Sequence, residues 1–168
     1  MNARDPSRRS RGQRGAALVE FALASVVFLG MILGIYEMFL GLYTYHCISE
    51  SAREGTRYAI VRGSSSCINT PGLANCNATA AEVQSYVQGL AFPGIDTVNS
   101  MTVTVSWLTV STAQPATWSD CTPGGSVTCN LPGNLVKVQV QYAFPLSLPF
   151  FSSNPLNLSS TSQMAIAQ

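Results

Sequence analysis

From Ala16 to Tyr36 the chain is apolar apart from one acid, Glu20, and no residue from Phe21 to Tyr36 is charged. A helix of these 21 residues spans about 31 Å, matching a bilayer hydrocarbon core of about 30 Å. One transmembrane helix is therefore predicted. The helical pattern then continues: Met38, Phe39, Leu42, Tyr45, Ile48, Ala52, Ala59 and Ile60 recur at intervals of three, four and seven. The opposite side carries Glu50, Arg53, Glu54 and Arg57. Their i,i+3 pairs are worth only a few tenths of a kcal/mol, so this run reads as a solvated face rather than a binding site. A continuous helix from Ala16 to about Val61 would reach roughly 69 Å, a membrane stem rising into an exterior domain.

After Arg62 the pattern breaks. The stretch GSSSCINTPGLANCN is made of loop-forming residues. Thr79-Ala80-Ala81-Glu82 then has the capping-box form, and Val83, Tyr86, Val87 and Leu90 follow at helical spacing up to Phe92-Pro93-Gly94. Two strict alternations come next, Met101–Trp107 and Leu135–Tyr142, each the mark of a half-buried strand. Ser159–Ala167 is a third, weaker strand candidate, reached through a connection holding Pro145, Pro149 and Pro155. The expected fold class is α+β, with a long N-terminal transmembrane and stem helix packed on a small exterior domain. That domain would hold a short helix and an antiparallel sheet of about three strands. The expected organisation is a basic cytoplasmic leader over 1–15, the transmembrane and stem helix over 16–62, and the exterior domain over 63–168.

Charge orients this arrangement. Five of the nine basic residues (Arg4, Arg8, Arg9, Arg11, Arg14) precede the apolar segment, against the single acid Asp5, which predicts a cytoplasmic N-terminus. Beyond residue 15 there remain four basic and seven acidic side chains, a balance of 4 − 7 = −3. No basic face for nucleic acid is expected there. A secretory signal peptide shares the basic and apolar regions, but its small-residue cleavage pattern is missing. The chain instead reads Gly34-Ile35-Tyr36-Glu37-Met38-Phe39-Leu40 after the apolar run.

The segment RGAALVEFAL, the apolar helix and then SAREGTRYAIVRG at Ser51–Gly63 resemble, in order and spacing, the TadE-like pseudopilins of type IVb Tad/Flp pilus systems. The resemblance covers residues 11–63, and beyond them only the order of elements and the final strands. It implies cleavage by a prepilin peptidase after Gly15, leaving Ala16 as the new N-terminus and Glu20 as the fifth residue of the mature chain. It also implies a structural or assembly role with no cofactor, in the bacterial inner membrane, with the C-terminal domain periplasmic. The implied partners are the peptidase, other Tad/Flp pilins and pseudopilins, and the inner-membrane assembly platform.

A carboxylate at the bilayer centre costs roughly 2.5 to 3.5 kcal/mol on insertion scales, so Glu20 calls for a partner. The α-amine released at Ala16, with a pKa of about 8, lies about 6 Å away along the helix. A neighbouring subunit shifted by a similar distance could set its amine against Glu20, neutralising both charges and fixing the stagger. The alternative is that Glu20 marks the interfacial helix end and favours the N-terminal dipole. Gly30 and Gly34 form a G-x-x-x-G pair that would let two helices approach, although glycine is also common in transmembrane helices for no such reason.

Five cysteines fit an oxidising compartment. Cys67 and Cys76 bracket one loop, and Cys121 and Cys129 bracket another. Four cysteines allow three connectivities, and the local pairs fit the two loops best. A metal site is the alternative, but no C-x-x-C knuckle exists and the chain has one histidine. His46-Cys47 is the single pair that suggests a nucleophile. Adjacent helical positions point about 100° apart, so a buried thiol or an intersubunit bond competes with that reading. No nucleophile-elbow, phosphate-loop or carboxylate-pair motif appears. Two further classes stay open: an uncleaved, membrane-anchored periplasmic binding module, and a membrane-tethered thiol enzyme.

Overall fold

The two alternating segments form ten-residue strands, β1 (Met101–Val110) and β3 (Leu135–Phe144), paired antiparallel with Val103 opposite Val140 and Val105 opposite Val138. The computed structural model describes residues 7–90, 92–97, 99–110, 117–121, 129–146 and 154–167, with side chains from residue 15 onward. The side chains of the basic leader, Pro149 and the interior of the Cys121–Cys129 loop lie outside these residues.

Among the described residues the sheet has four strands where about three were expected, in the order β2-β1-β3-β4. The additional strand, β2 (Trp118–Cys121), pairs antiparallel with the end of β1. Its four residues are too short and polar to carry an alternation, and they read as part of a cysteine loop. β4 (Leu156–Ala165) starts three residues ahead of the expected Ser159, directly after Pro155, whose missing N–H cannot join a ladder. Ser160 and Ser162 oppose the inward-facing Val140 and Val138, and these serines dilute the apolar alternation.

The helix α1 (Ser7–Ile60) is 54 residues long and passes through Gly15 and Ala16 without interruption. At 1.5 Å per residue it is about 81 Å long. Its upper part lies along β3 and β4. Gly41 sits at Phe144 and Gly55 at Val138. The 55 − 41 = 14 helix residues between them cover about 21 Å and the 144 − 138 = 6 strand residues about 20 Å, so helix and strands run side by side.

Below Leu40 no strand among the described residues accompanies the helix. This corrects the reading of the stem: Ile48, Ala52 and Ala59 are buried, whereas Met38 (78% exposed) and Phe39 lie below the sheet, and Leu42 and Tyr45 lie beside it but turned away from the buried side formed by Thr44, Cys47, Ile48 and Ser51. Spacing assigns a helical face, but only an adjacent sheet can bury it.

A single turn, α2 (Ser66–Asn69), lies within the Cys67–Cys76 loop. The short helix α3 (Ala80–Gln88) begins with the expected capping box. The Thr79 side chain accepts from the Glu82 N–H at 3.3 Å, and the Thr79 N–H donates to the Glu82 carboxylate at 2.8 Å. Val83 and Val87 of α3 then fill the core beside Val136, Val138, Val140 and Ile48. The two helices α1 and α3 cover one face of the sheet, while Thr102, Thr104, Gln141, Ser159 and Thr161 leave the other face polar and exposed.

Gly55 marks the closest approach in this core. A Cβ built there would lie 2.5 Å from Val87 Cγ2 and 3.2 Å from Val138 Cγ1, so glycine lets α1 touch α3 and β3 at once. The hydroxyls on α1 turn inward to their own backbone: Ser51 donates to the Cys47 carbonyl at 2.9 Å and Thr56 to the Ala52 carbonyl at 2.7 Å.

Candidate functional site

The lower half of α1 is the candidate site. Its window of greatest apolarity has a mean hydropathy of 2.4 and is 0% buried, and the helix is long and apolar enough to cross a membrane. Leu18, Phe21, Val27 and Met31 are each at least 61% exposed. At about 25 cal/mol per Å², so much apolar surface is strongly unfavourable in water and calls for lipid or another helix.

Polar groups within this segment are few. Ser25 donates to the Phe21 carbonyl at 2.8 Å, which removes most of the penalty of placing its hydroxyl in hydrocarbon. Glu20 is exposed and forms no ion pair among the described residues. Gly15 and Ala16 precede it on the same continuous helix, both exposed. Side chains four apart lie on one helical face, which puts Ala16 and Glu20 one turn apart on a surface that the other described residues leave open.

Gly30 and Gly34 also lie on open helix, and a Cβ at either would meet nothing within 4 Å. Steps of four, seven, seven and four residues lead from Gly30 through Gly34, Gly41 and Ile48 to Ala52. The face that packs on the sheet above therefore continues downward as a glycine face with no partner among the described residues. The structure does not bring Glu20 and the two glycines together, because Gly30 is about 15 Å farther along the helix.

The exterior domain carries the cysteines. Disulfides join Cys67 to Cys76 and Cys121 to Cys129, each closing its own loop. Cys47 is a free thiol, 6% exposed, beneath Tyr43, His46, Glu50 and Phe92. A hydrogen bond with this thiol, more than burial, pushes the Tyr43 phenol up from its ordinary value. The Tyr43 hydroxyl also donates to the Pro93 carbonyl at 3.2 Å. Cys47 is thus part of a packed contact, and His46 points to solvent beside it. Among the described residues no group of three or more His, Cys, Asp or Glu side chains is placed to hold a metal ion.

The stem pairs remain on the surface, Arg57–Glu54 at 2.8 Å and Arg53–Glu50 at 3.7 Å, where they contribute little. Two features escaped the reading of the sequence. Gly55 had no neighbouring turn signal, and the stack of Arg62 on Tyr58 and Tyr86 joins residues 24 to 28 positions apart. A glycine amid an otherwise regular helical pattern was the available signal for the first.

The model of the TadE-like protein family matches residues 15–57, the segment from the exposed Gly15 to the top of the sheet-packed stem. No curated protein and no solved structure matches the chain.

Proposed function

We propose that this TadE-like chain is a minor pilin or pseudopilin of a bacterial Tad/Flp, type IVb, pilus, processed by prepilin peptidase between Gly15 and Ala16. The observation that supports the reading is the divided helix: one end forms the core of a folded domain, and the other is a bare apolar rod with one carboxylate near its start.

In this reading the leader stays in the cytoplasm and the span Ala16–Tyr36 crosses the inner membrane. The domain over 63–168 stands in the periplasm, where its two disulfides are stable. Cleavage removes five arginines and one aspartate and creates an ammonium group at Ala16. That cation and Glu20 are separated by about 6 Å along one helix, so an axial shift of the same size pairs the amine of one subunit with the carboxylate of its neighbour. Leaving either charge unpaired in an apolar bundle costs about 3–5 kcal/mol, a penalty that selects the correct stagger over slipped ones. The glycine face at Gly30 and Gly34 lets the helices come close enough for the pairing. The partners are then other pilins and pseudopilins, the peptidase and the inner-membrane platform.

Co-isolation of the full chain with other pilus components after mild detergent extraction tests the assembly step. Glu20→Gln should leave processing intact and abolish co-isolation. Undiminished co-isolation of that variant would remove the charge pair from the account.

A further inference from the structure

Arg62, Tyr58 and Tyr86 form a three-layer stack at the end of the domain farthest from the free half of α1. The two tyrosine rings lie 4.2 Å apart between centroids at an interplanar angle of 18°, and the Arg62 guanidinium lies 3.8 Å from the Tyr58 centroid. Two groups this near cannot share one ring face. Tyr58 is therefore covered on both sides, and Tyr86 is the outer layer, 37% exposed.

The platform is held rigid from behind. Arg62 Nε donates to the Ala74 carbonyl at 3.2 Å and its Nη1 to the Tyr58 carbonyl at 3.3 Å. The Asn75 amide donates to the Tyr58 hydroxyl at 3.3 Å, and the Cys67–Cys76 disulfide clips the loop that carries it. Asn75 has φ of 52°, a left-handed conformation that asparagine tolerates. Tyr58, Tyr86, Asn75, Glu82 and Ser85 together line a shallow depression of about 410 Å³.

Its chemistry selects the ligand. Glu82 is the one charged side chain in its lining, which disfavours an anionic guest. The electron-rich face of Tyr58 is already occupied by Arg62, so a cation would meet one ring rather than a cage. What remains is one exposed aromatic layer fringed by an amide, a hydroxyl and a carboxylate. These are groups that together take a ring with an apolar C–H face and hydroxyls at its rim.

We infer that this depression binds the neutral pyranose rings of a glycan. With the domain oriented as proposed above, Tyr58 stands 22 residues, or about 33 Å of helix, beyond Tyr36, clear of the membrane. The site is built by the top of α1, the Cys67–Cys76 loop and α3, and it holds whether or not Gly15 is the cleavage point.

Saturation-transfer NMR on the full chain in a sugar-free detergent tests this, with cellotriose and the trimer of N-acetylglucosamine as probes. The expected result is transfer to the ring C–H protons of at least one probe, with a dissociation constant on the order of 1 mM. Tyr86→Ala should weaken binding roughly tenfold, while Tyr86→Phe keeps most of it. Ser85→Ala, at an exposed position outside the stack, should weaken it a few-fold with the fold untouched. Absence of transfer to both probes, or equal transfer with Tyr86→Ala, overturns the inference.

Discussion

Replacing Gly55 by alanine sets two effects of known size against each other. In a helix interior the substitution gains about 0.8–1.0 kcal/mol of propensity. The new methyl would meet Val87 Cγ2 at 2.5 Å and Val138 Cγ1 at 3.2 Å, both on side chains that are 0% exposed. Both are β-branched and stiff at χ1. Val138 is further fixed within β3 between Val105 and Ser162. Neither neighbour can retreat cheaply, so the overpacking cost falls in the upper part of its usual range of about 1–3 kcal/mol. The expected net effect of Gly55→Ala is a loss of about 1–2 kcal/mol.

Urea unfolding of the full chain in detergent, followed by the fluorescence of the buried Trp107, reads this out. Gly34→Ala is the control, since nothing lies within 4 Å of its Cβ and the domain should unfold as in the parent chain. Val87→Ala should cost less in the Gly55→Ala background than alone, by about 1 kcal/mol, because the contact is shared. A Gly55→Ala chain that gains stability, with additive effects, would refute the claim that glycine is needed for this approach.

Three other outcomes follow from the same packing. Thr79→Ala removes the cap of α3 and should cost about 1 kcal/mol in the same urea assay, with helix content by circular dichroism little changed in the native state. Reduction of Cys67–Cys76 and Cys121–Cys129 should lower the unfolding free energy by about 2.5 kcal/mol per loop, given closures of nine and eight residues, and a titration with reductant measures it. Cys47 should resist alkylation by iodoacetamide in the folded chain and react once urea unfolds it; rapid labelling of the native thiol would restore the enzyme alternative.

Much of the fold was legible because it is written locally. The uncharged run to Tyr36, the alternations at 101–107 and 135–142, and Thr79 with Glu82 each signal an element through neighbours in sequence. β2 was not legible, since four residues of WSDC become a strand only because the free edge of β1 is beside them. β4 was half legible, with Ser160 and Ser162 in place of apolar residues at inward positions. The stem pattern ran unchanged from Met38 to Ile60 and could not show where the sheet stops. Local cysteine pairs followed from loop composition, whereas the Arg62–Tyr58–Tyr86 stack depends on how α1 and α3 meet. For the candidate site, Glu20 stood out from charge and hydropathy, whereas Gly15 and Ala16 came from the family resemblance; among the described residues this half of α1 packs against no other element.

The N-terminal residue and intact mass of the membrane-extracted protein, from cells with and without prepilin peptidase, test the central claim most directly. The account predicts a chain beginning at Ala16 when the peptidase is present and at Met1 when it is absent. A chain beginning at Met1 in both would contradict it and make the protein an uncleaved membrane anchor for its periplasmic domain.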